Sequence, residues 1–519
     1  MQGTKLVSAT TVLVHDKPED CWIVIEDQVW DVTRFVPEHP GGASSTLLPR
    51  SGIQVILKFA GRDATEAYSE VHSSSVIRQN LPPEYFKGNL DPSTITEGWK
   101  VANTPHAETK TAKLEIAHDK PPLDSIINLY DFEQAAAATA PKKAYTFYST
   151  AATDCWTRDA NEAMIKRIWF RPRVMKDVAA VDISSTILNI PVKMPLFVCP
   201  MGLVRLINPE GEKALARGVK SSGILEIVSQ RQPSTCPAFA SNTSEISSGS
   251  SYPIEDVMHE APDYPFFFQL YLNKDKSKSK EVLQKAESLG IRAVFLTVDS
   301  AGRGKRESDE RLKVDDVIVN PVTGERIKAD KKGGGLTRMM GSYIDQGMTW
   351  RDIEWIRSVT SLPIILKGIG CADDAKIAME CNVDGIMLSN HGGRNLDFSP
   401  PSILLLLEMH KNCPEVFGKM EVYVDGGFRR GGDIVKALCL GAKAVGIGRS
   451  FMYSLHYGTE GVEHLVQLLK DEMESVMKLI GIKDLSEVHP GLVNTSDVDH
   501  LVPSGSGHPY AKWRPRSKM

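Results

Sequence analysis

The chain has 519 residues, 42% of them hydrophobic and 24% charged, which is typical of a globular protein and predicts two or three domains. Its formal net charge of −4 gives no sign of nucleic-acid binding, and no apolar run approaches the roughly 20 residues that span a bilayer. The eight cysteines form no C-x-x-C pair, which argues against a zinc or iron–sulfur site and against a disulfide framework.

The N-terminal segment combines a hairpin pattern with two histidines in apolar surroundings. The stretch "CWIVIEDQVWDVTRF" (21–35) alternates and predicts a β-hairpin with "EDQ" as its turn. The stretches "FVPEHPGG" (35–42) and "AGRDATEAYSEVHSSSVI" (60–77) contain His39 and His72. Two neutral imidazoles suit the axial positions of a six-coordinate heme that passes electrons, although two unrelated surface histidines would give the same pattern.

Together these stretches resemble the cytochrome b5 heme-binding family over residues 7–90. The resemblance implies a small α+β domain that binds heme b, with His39 and His72 as the iron ligands. The stretch "ASSTLLPRSGIQ" (43–54) is about ten residues longer than the family's spacing, a length that a surface loop can absorb.

Beyond a polar, Pro-containing linker at 91–122, short apolar runs alternate with helical stretches to about residue 480. Alternation of this kind predicts parallel βα units. Eight of them predict an α/β fold, a closed (β/α)8 TIM barrel over 123–490, followed by a C-terminal tail at 491–519. The eight predicted strands are 195–202, 223–229, 265–272, 292–299, 363–369, 385–390, 421–427 and 442–448.

Polar residues collect where these runs end, which is where the active sites of such barrels lie. The residues are Ser229, Gln269, Tyr271, Thr297, Asp299, Lys367, Asn390, His391, Asp425 and Arg449. The stretch "SNHGGRNLD" (389–397) places a base three residues before a cation, so it predicts a site that holds an acid and removes its proton. A loop with a satisfied histidine is the alternative, which the polar strand ends disfavour.

The stretch "DGGFRRGGDIVKALCLGAKAVGIGR" (425–449) puts Gly-rich turns after the seventh and eighth runs. Backbone N–H groups there, together with Arg429 and Arg449, suit a phosphate, whereas two purely structural turns are the alternative.

With "TVDSAGRGKRESD", "FFFQLYLNKD" and "ILKGI", these motifs make residues 126–490 resemble the FMN-dependent 2-hydroxy-acid dehydrogenase and oxidase family. A heme domain ahead of that barrel resembles the flavocytochrome b2 group. The resemblance implies oxidation of an L-2-hydroxy acid, L-lactate to pyruvate first among them, with electrons passed from FMN through heme b to cytochrome c or a similar acceptor. It also implies a homotetramer.

The resemblance assigns roles to the site residues. His391 would be the base, Asp299 would pair with its imidazolium and raise its pKa, and Arg394 would clamp the substrate carboxylate. Arg306 would support charge near the substrate, and Tyr271 would bond the substrate hydroxyl or carboxylate. FMN would be held by Ser229, Gln269 and Thr297 at the ring, Lys367 at its N1–C2 edge, Asp425 at the ribityl chain, and Gly427, Arg429, Gly448 and Arg449 at the phosphate.

Within residues 126–490, the chain departs from the family pattern at three places. In "AYTFYSTAATD" (144–154), Phe147 replaces the family's usual Tyr, and losing a hydrogen bond to a charged group costs about 1.5–3 kcal/mol. A bulkier or more apolar 2-hydroxy acid is therefore an alternative to L-lactate. The stretch 230–250 resembles an inserted loop, and the basic, Gly-rich stretch 325–343 predicts a mobile loop.

Two other classes of function and three compartments stay open. An oxidase would use the same barrel chemistry with O2 as acceptor, and a non-catalytic redox sensor would need neither His391 nor Arg394. The C-terminal "SKM" resembles the S-K-L peroxisomal address, and the N-terminus lacks the character of a secretory or transit peptide. These termini favour the cytosol or the peroxisome, whereas the family resemblance favours the mitochondrial intermembrane space.

Overall fold

The computed structural model divides the chain into two compact units, Met1–Asp119 and Lys120–Met519. It describes residues 5–35, 56–57, 59–65, 68, 77, 81–96, 99, 120–229, 250–302, 304–311, 318–319, 326–327 and 343–503, with only the backbone at 318–319 and 326–327. The described residues do not include His39, His72, the insertions at 43–54 and 230–249, or most of the loop predicted at 325–343.

The first unit contains a mixed sheet whose order is β1-β6-β4-β3-β2, with β5 beside β3. Its elements are β1 Leu6–Val7, α1 Ala9–Leu13, β2 Asp16–Lys17, β3 Asp20–Ile25, β4 Gln28–Asp31, β5 Arg62–Asp63 and β6 Phe86–Leu90. The predicted hairpin is confirmed as the antiparallel pair β3–β4. Its turn is Glu26–Asp27, both with positive φ, whereas Gln28 already pairs with Ile25.

The second unit is a closed barrel of eight parallel strands, as the sequence predicts. In chain order the barrel strands are β10 Leu196–Val198, β11 Leu225–Ser229, β12 Phe267–Leu270, β13 Val294–Thr297, β16 Ile364–Ile369, β17 Gly385–Leu388, β18 Glu421–Asp425 and β19 Ala444–Ile447. Each lies within one of the eight predicted runs, and β19 pairs with β10 to close the barrel.

The described helices of this unit lie between and around these strands. They are α2 Leu129–Thr139, α3 Lys142–Ser149, α4 Trp156–Lys166, α5 Gly211–Ser222, α6 Ile254–His259, α7 Lys276–Ser288, α8 Glu307–Arg311, α9 Arg351–Val359, α10 Ala372–Glu380, α11 Ser402–Asn412, α12 Val416–Lys419, α13 Gly431–Cys439, α14 Arg449–Leu455 and α15 Gly458–Ile480. Short strand pairs are β7 Trp169–Phe170 with β20 Val493–Asn494, β8 Ser185–Ile187 with β9 Ile190–Val192, and β14 Ile318–Val319 with β15 Arg326–Ile327.

The barrel interior contains an apolar layer because alternate residues of each strand point inward. Its buried members are Phe197, Ile227, Phe267, Phe295, Ile365, Met387 and Tyr423. The β8–β9 hairpin adds Ile187, Ile190 and Val192 to this cluster, and the Leu188 N–H donates to the carboxylate of Glu421, the first residue of β18. The hairpin therefore covers the N-terminal end of the barrel.

The other face of each strand packs against the helices in a second apolar layer, to which Val198, Leu270 and Leu366 belong. Burying both faces of parallel strands in this way is the main stabilisation of such a fold. In the parts of the chain that the structure describes, none of the helices combines the length and the apolar character that crossing a bilayer requires.

Candidate functional site

A polar layer lies directly above the apolar layer, toward the C-terminal ends of the strands. On most strands, the inward side chain two residues beyond the apolar one is polar. These polar residues are Ser229, Gln269, Thr297, Lys367, Ser389 and Asp425. A cavity of about 560 Å³ opens above it. The cavity is lined by all nine residues predicted to hold FMN and by four of the five predicted catalytic residues, Tyr271, Arg306, His391 and Arg394.

The fifth predicted catalytic residue, Asp299, is not among the residues that line the cavity, but it contacts His391. Asp299 lies two residues beyond β13, and its Oδ1 is 3.0 Å from Nδ1 of His391, which follows β17. Gly368 makes this approach possible, because at its φ of 112° a Cβ would lie 2.6 Å from Cβ of Asp299. Two neighbouring loops thus place a carboxylate behind an imidazole, an arrangement that orients a general base.

The charges around the pair decide its protonation. Burial lowers the pKa of His391, Lys367 lowers it further, and Asp299 raises it, so the net pKa lies below the usual value. The sequence predicted that Asp299 raises the pKa of His391. Asp299 does act in that direction, but burial and Lys367 outweigh it, so the net pKa is lowered. Burial alone would raise the pKa of Asp299, but His391 and Lys367 hold it below its usual value. The resting pair is therefore a neutral imidazole beside a carboxylate.

The backbone at His391 is held in an unusual conformation. His391, Gly392 and Gly393 have φ values of 57°, 62° and 75°, three consecutive residues in the left-handed region. This region costs a non-glycine residue about 1–3 kcal/mol and persists where the surroundings fix it, often at functional sites.

Lys367 is a buried cation in the polar layer, with 3% of its surface exposed. Burial lowers its pKa, but Asp299 and Asp425 outweigh that effect and the pKa is raised. Its Nζ lies 3.4 Å from the Ser389 hydroxyl. The site therefore keeps a fixed positive charge in the floor of the cavity.

Two guanidinium groups and an aromatic ring form one wall of the cavity. The Arg394 Cζ lies 5.0 Å and the Arg306 Cζ 6.0 Å from the centre of the Phe147 ring, distances that allow cation–π attraction. Arg394 Nη1 donates to the Phe147 and Tyr148 carbonyls at 2.9 and 3.1 Å. The backbone at the end of α3 thus fixes Arg394 while leaving its other nitrogens for a carboxylate.

The two arginines predicted at a phosphate already bind protein groups. Arg449 donates from Nε to the Tyr148 carbonyl at 2.9 Å and from Nη2 to the Gly392 carbonyl at 2.9 Å. Arg429 forms ion pairs with Glu133 and Glu162. Both still line the cavity, Arg429 shortly before α13 and Arg449 as the first residue of α14, which follows Gly448. They supply positive charge there, but much of their hydrogen-bonding capacity is already used.

The residues of the cavity suit a flavin nucleotide. Oδ1 of Asp425 is buried and has no hydrogen-bond partner among the described residues, so it is placed to accept from a ligand hydroxyl. Gln269 and Thr297 bond to each other at 3.1 Å and present amide and hydroxyl groups to the cavity. At Gly427, whose φ is 88°, a Cβ would lie 2.6 Å from the Asn161 backbone, so only glycine fits this turn.

The two predicted heme ligands, His39 and His72, lie outside the residues that the structure describes. The described part of the first unit contributes an apolar cluster around Ile23, Ile25, Trp30 and Val32, with Phe35 and Tyr68 packed on it. Such a cluster is compatible with an apolar macrocycle. Among the described residues, no group of three or more His, Cys, Asp or Glu side chains could hold a metal ion.

Three polar residues of the site were missed by the sequence analysis. Asn395 Nδ2 donates to the Asp299 carbonyl at 2.8 Å and to the Ser300 hydroxyl at 3.1 Å, linking the loops that carry His391 and Asp299. Asp397 accepts from backbone N–H groups that begin α4, including Thr157 at 2.8 Å. Asn161 pairs with Asn390. Only Asn395 and Asp397 carried a signal, since they lie in the same nine-residue stretch as His391.

Known proteins resemble this chain in both units. A model of the FMN-dependent dehydrogenase family matches residues 136–495, and a model of the cytochrome b5-like heme/steroid binding domain matches residues 8–91. The L-lactate dehydrogenase (cytochrome) of Saccharomyces cerevisiae is 38% identical, with coverage of 94% of this chain and 80% of its own. Glycolate oxidase 3 of Arabidopsis thaliana is 36% identical, with coverage of 73% of this chain and 98% of its own.

Solved structures also resemble this chain. A flavocytochrome b2 variant with pyruvate bound superposes with a TM-score of 0.64 at 36% identity, over 77% of this chain and 94% of that chain. A mandelate oxidase variant with (S)-mandelic acid superposes with a TM-score of 0.60 at 30% identity, over 71% of this chain and 98% of that chain.

Proposed function

This chain belongs to the FMN-dependent dehydrogenase family and also carries a cytochrome b5-like domain, and from that we propose that it oxidises L-lactate to pyruvate and passes the electrons through heme b to cytochrome c. The observation that carries the proposal is the His391–Asp299 pair beside Arg394 in the cavity. FMN, when bound, accepts the two electrons of the substrate, and heme transfers them one at a time to the acceptor.

The proposed chemistry assigns one task to each group. Arg394 binds the substrate carboxylate, Arg306 supports charge near the substrate, and Tyr271 donates a hydrogen bond to the substrate. His391 takes a proton on Nε2, since its Nδ1 faces Asp299, and Asp299 stabilises the resulting imidazolium. Lys367 keeps a positive charge where negative charge develops on the acceptor.

We propose that the cofactor lies along the cavity with its ring over the polar layer. Ser229, Gln269, Thr297 and Lys367 would contact the ring, and Asp425 the ribityl chain. Gly427, Gly448, Arg429 and Arg449 would surround the phosphate. In the first domain, over 7–90, His39 and His72 would ligate the heme iron. The same proposal includes a linker at 91–122, the barrel at 123–490, a C-terminal tail at 491–519 and a homotetrameric assembly.

The alternative, an oxidase that reduces O2, has less support. The Arabidopsis glycolate oxidase aligns with 73% of this chain, whereas the Saccharomyces cytochrome-dependent enzyme aligns with 94%. A domain for a one-electron carrier has no part in direct reduction of O2, so its presence favours a cytochrome acceptor.

An anaerobic absorption spectrum before and after addition of L-lactate tests the proposal. Bleaching of the flavin band together with sharpened bands of reduced heme is expected. If both cofactors are bound but unchanged by L-lactate, the substrate assignment is wrong, and L-mandelate is the next acid because Phe147 leaves one wall apolar. A protein without a heme band would overturn the proposed acceptor.

A further inference from the structure

We propose that Asn161 is a positioning residue for His391, acting through the side chain of Asn390 although it contacts neither substrate nor cofactor. This inference rests on the proposed function, in which His391 is the base. Asn161 lies in the interior of α4, and Asn390 lies immediately before His391. The two are 229 positions apart in the chain.

The two amide groups form a reciprocal pair. Asn161 Nδ2 donates to Asn390 Oδ1 at 2.9 Å, and Asn390 Nδ2 donates to Asn161 Oδ1 at 2.7 Å. Both side chains are buried, with 1% and 7% of their surface exposed. Buried hydrogen-bonded networks of this kind are costly to break, because each lost partner leaves a polar group without water.

The Asn390 amide has no unused hydrogen-bonding capacity. Its Nδ2 also donates to the Pro400 carbonyl at 3.0 Å, and its Oδ1 also accepts from the Gly393 N–H at 3.1 Å. A primary amide offers two donors and two lone pairs, and all four are engaged. The bond from Gly393 closes the three left-handed residues 391–393 into one turn, so the orientation of this amide fixes the backbone that carries His391.

Asn161 is anchored from its own side. Its Oδ1 also accepts from the Ser402 N–H at the start of α11, at 3.0 Å. The α4 helix is in turn held by Asp397, from the loop that follows His391. The Asn161 side chain therefore hydrogen-bonds to both ends of the segment 390–402, and its loss would allow the turn at His391 to relax.

The test compares Asn161→Ala and Asn161→Asp with the wild type, all as FMN-loaded full-length protein, in anaerobic flavin reduction by L-lactate. Misplacing a catalytic group by a fraction of an ångström to 1 Å costs up to about 100-fold, so Asn161→Ala should reduce the rate by about 10–100-fold while KM changes less than about threefold. FMN affinity and the melting temperature are measured in parallel. The matched control is Asn208→Ala, which removes two hydrogen bonds of an asparagine far along the chain from this turn.

Asn161→Asp provides a pH-dependent rate that a purely structural role of Asn161 would not produce. Ionised aspartate has no donor for Asn390 Oδ1, but the protonated acid restores it and nearly reproduces the amide. Because burial raises a carboxyl pKa, the ratio of variant to wild-type rate should rise about tenfold from pH 8 to pH 5.5. This ratio remains informative even if Asn161→Ala fails to fold.

Two results would overturn the proposal: an Asn161→Ala rate within about twofold of the Asn208→Ala rate, or an Asn161→Asp ratio that does not change with pH. A wild-type flavin that L-lactate does not reduce instead contradicts the proposed substrate. The same variants are then compared with the 2-hydroxy acid that does reduce it.

Discussion

Nδ1 of His391 lies 3.0 Å from Oδ1 of Asp299, although 92 positions separate the two residues in the chain. Burial and Lys367 lower the pKa of His391, so the imidazole is a free base at neutral pH. Asp299 acts in the opposite direction and provides a counter-charge once the imidazole is protonated. The pair thus combines an available base with a stabilised conjugate acid.

This balance predicts the pH dependence of flavin reduction. The rate should rise with pH as His391 loses its proton, and it should reach its plateau near neutral pH because the pKa lies below the usual value. Replacing Asp299 with Asn removes the charge that raises this pKa, so the inflection should move to still lower pH and the plateau should fall by about 100-fold. Stopped-flow reduction across the pH range measures both. An inflection that moves to higher pH would contradict the assigned roles.

Phe147→Tyr should strengthen binding of L-lactate. The ring lies near the guanidinium groups of Arg306 and Arg394, the second of which would hold the carboxylate, and a hydroxyl there would add one hydrogen bond to a charged group. Such a bond contributes about 1.5–3 kcal/mol, so KM should fall by about 10–100-fold. The control is Phe398→Tyr, at an exposed position. An unchanged KM would show that the carboxylate does not bind at this wall.

Lys367→Met should lower the reduction potential of the flavin. The fixed cation favours added negative charge, and its removal should lower the two-electron potential by about 30–60 mV, one to two factors of ten in the equilibrium constant. Spectroelectrochemical titration measures this shift. Lys411→Met, which removes a lysine bonded to the Val502 carbonyl, is the control and should leave the potential unchanged.

Substitution of the proposed heme ligands should separate the two half-reactions. His39→Ala and His72→Ala should each abolish cytochrome c reduction while flavin reduction by L-lactate continues. His15→Ala removes another histidine of the same domain, one that pairs with Asp20, and should retain both activities. Full cytochrome c turnover in His39→Ala would exclude the electron relay.

The fold was predictable because barrel strands have a strong local signal. Each is a short apolar run ending in polar residues, and each predicted run contains its strand, as at β16 and β18. Several residues that line the cavity, such as Ser229 and Lys367, were predictable for the same reason, since they lie at or near strand ends, whereas the catalytic roles predicted for Arg306 and Arg394 came from the family resemblance. The period of two along a strand then places Lys367 and Asp425 in one layer.

The partners of these residues were less predictable. Asn161 is one polar residue in a helix, and its partner lies 229 positions away, so nothing local distinguishes it from a surface asparagine. Likewise, the sequence suggested that Arg449 serves a phosphate, but only the folded chain shows that the end of α3 engages two of its nitrogens. The net pKa of His391 depends on burial, which no spacing pattern measures.

The stacking of a polar layer on an apolar one also has an evolutionary consequence. Within one strand, Phe295 and Thr297 lie two positions apart, yet one side chain fills the closed floor of the barrel and the other lines the cavity. Selection for folding stability and selection for cofactor binding therefore act on different residues of the same short segment. Substitutions in the upper layer can thus alter the site while the lower layer keeps the barrel folded.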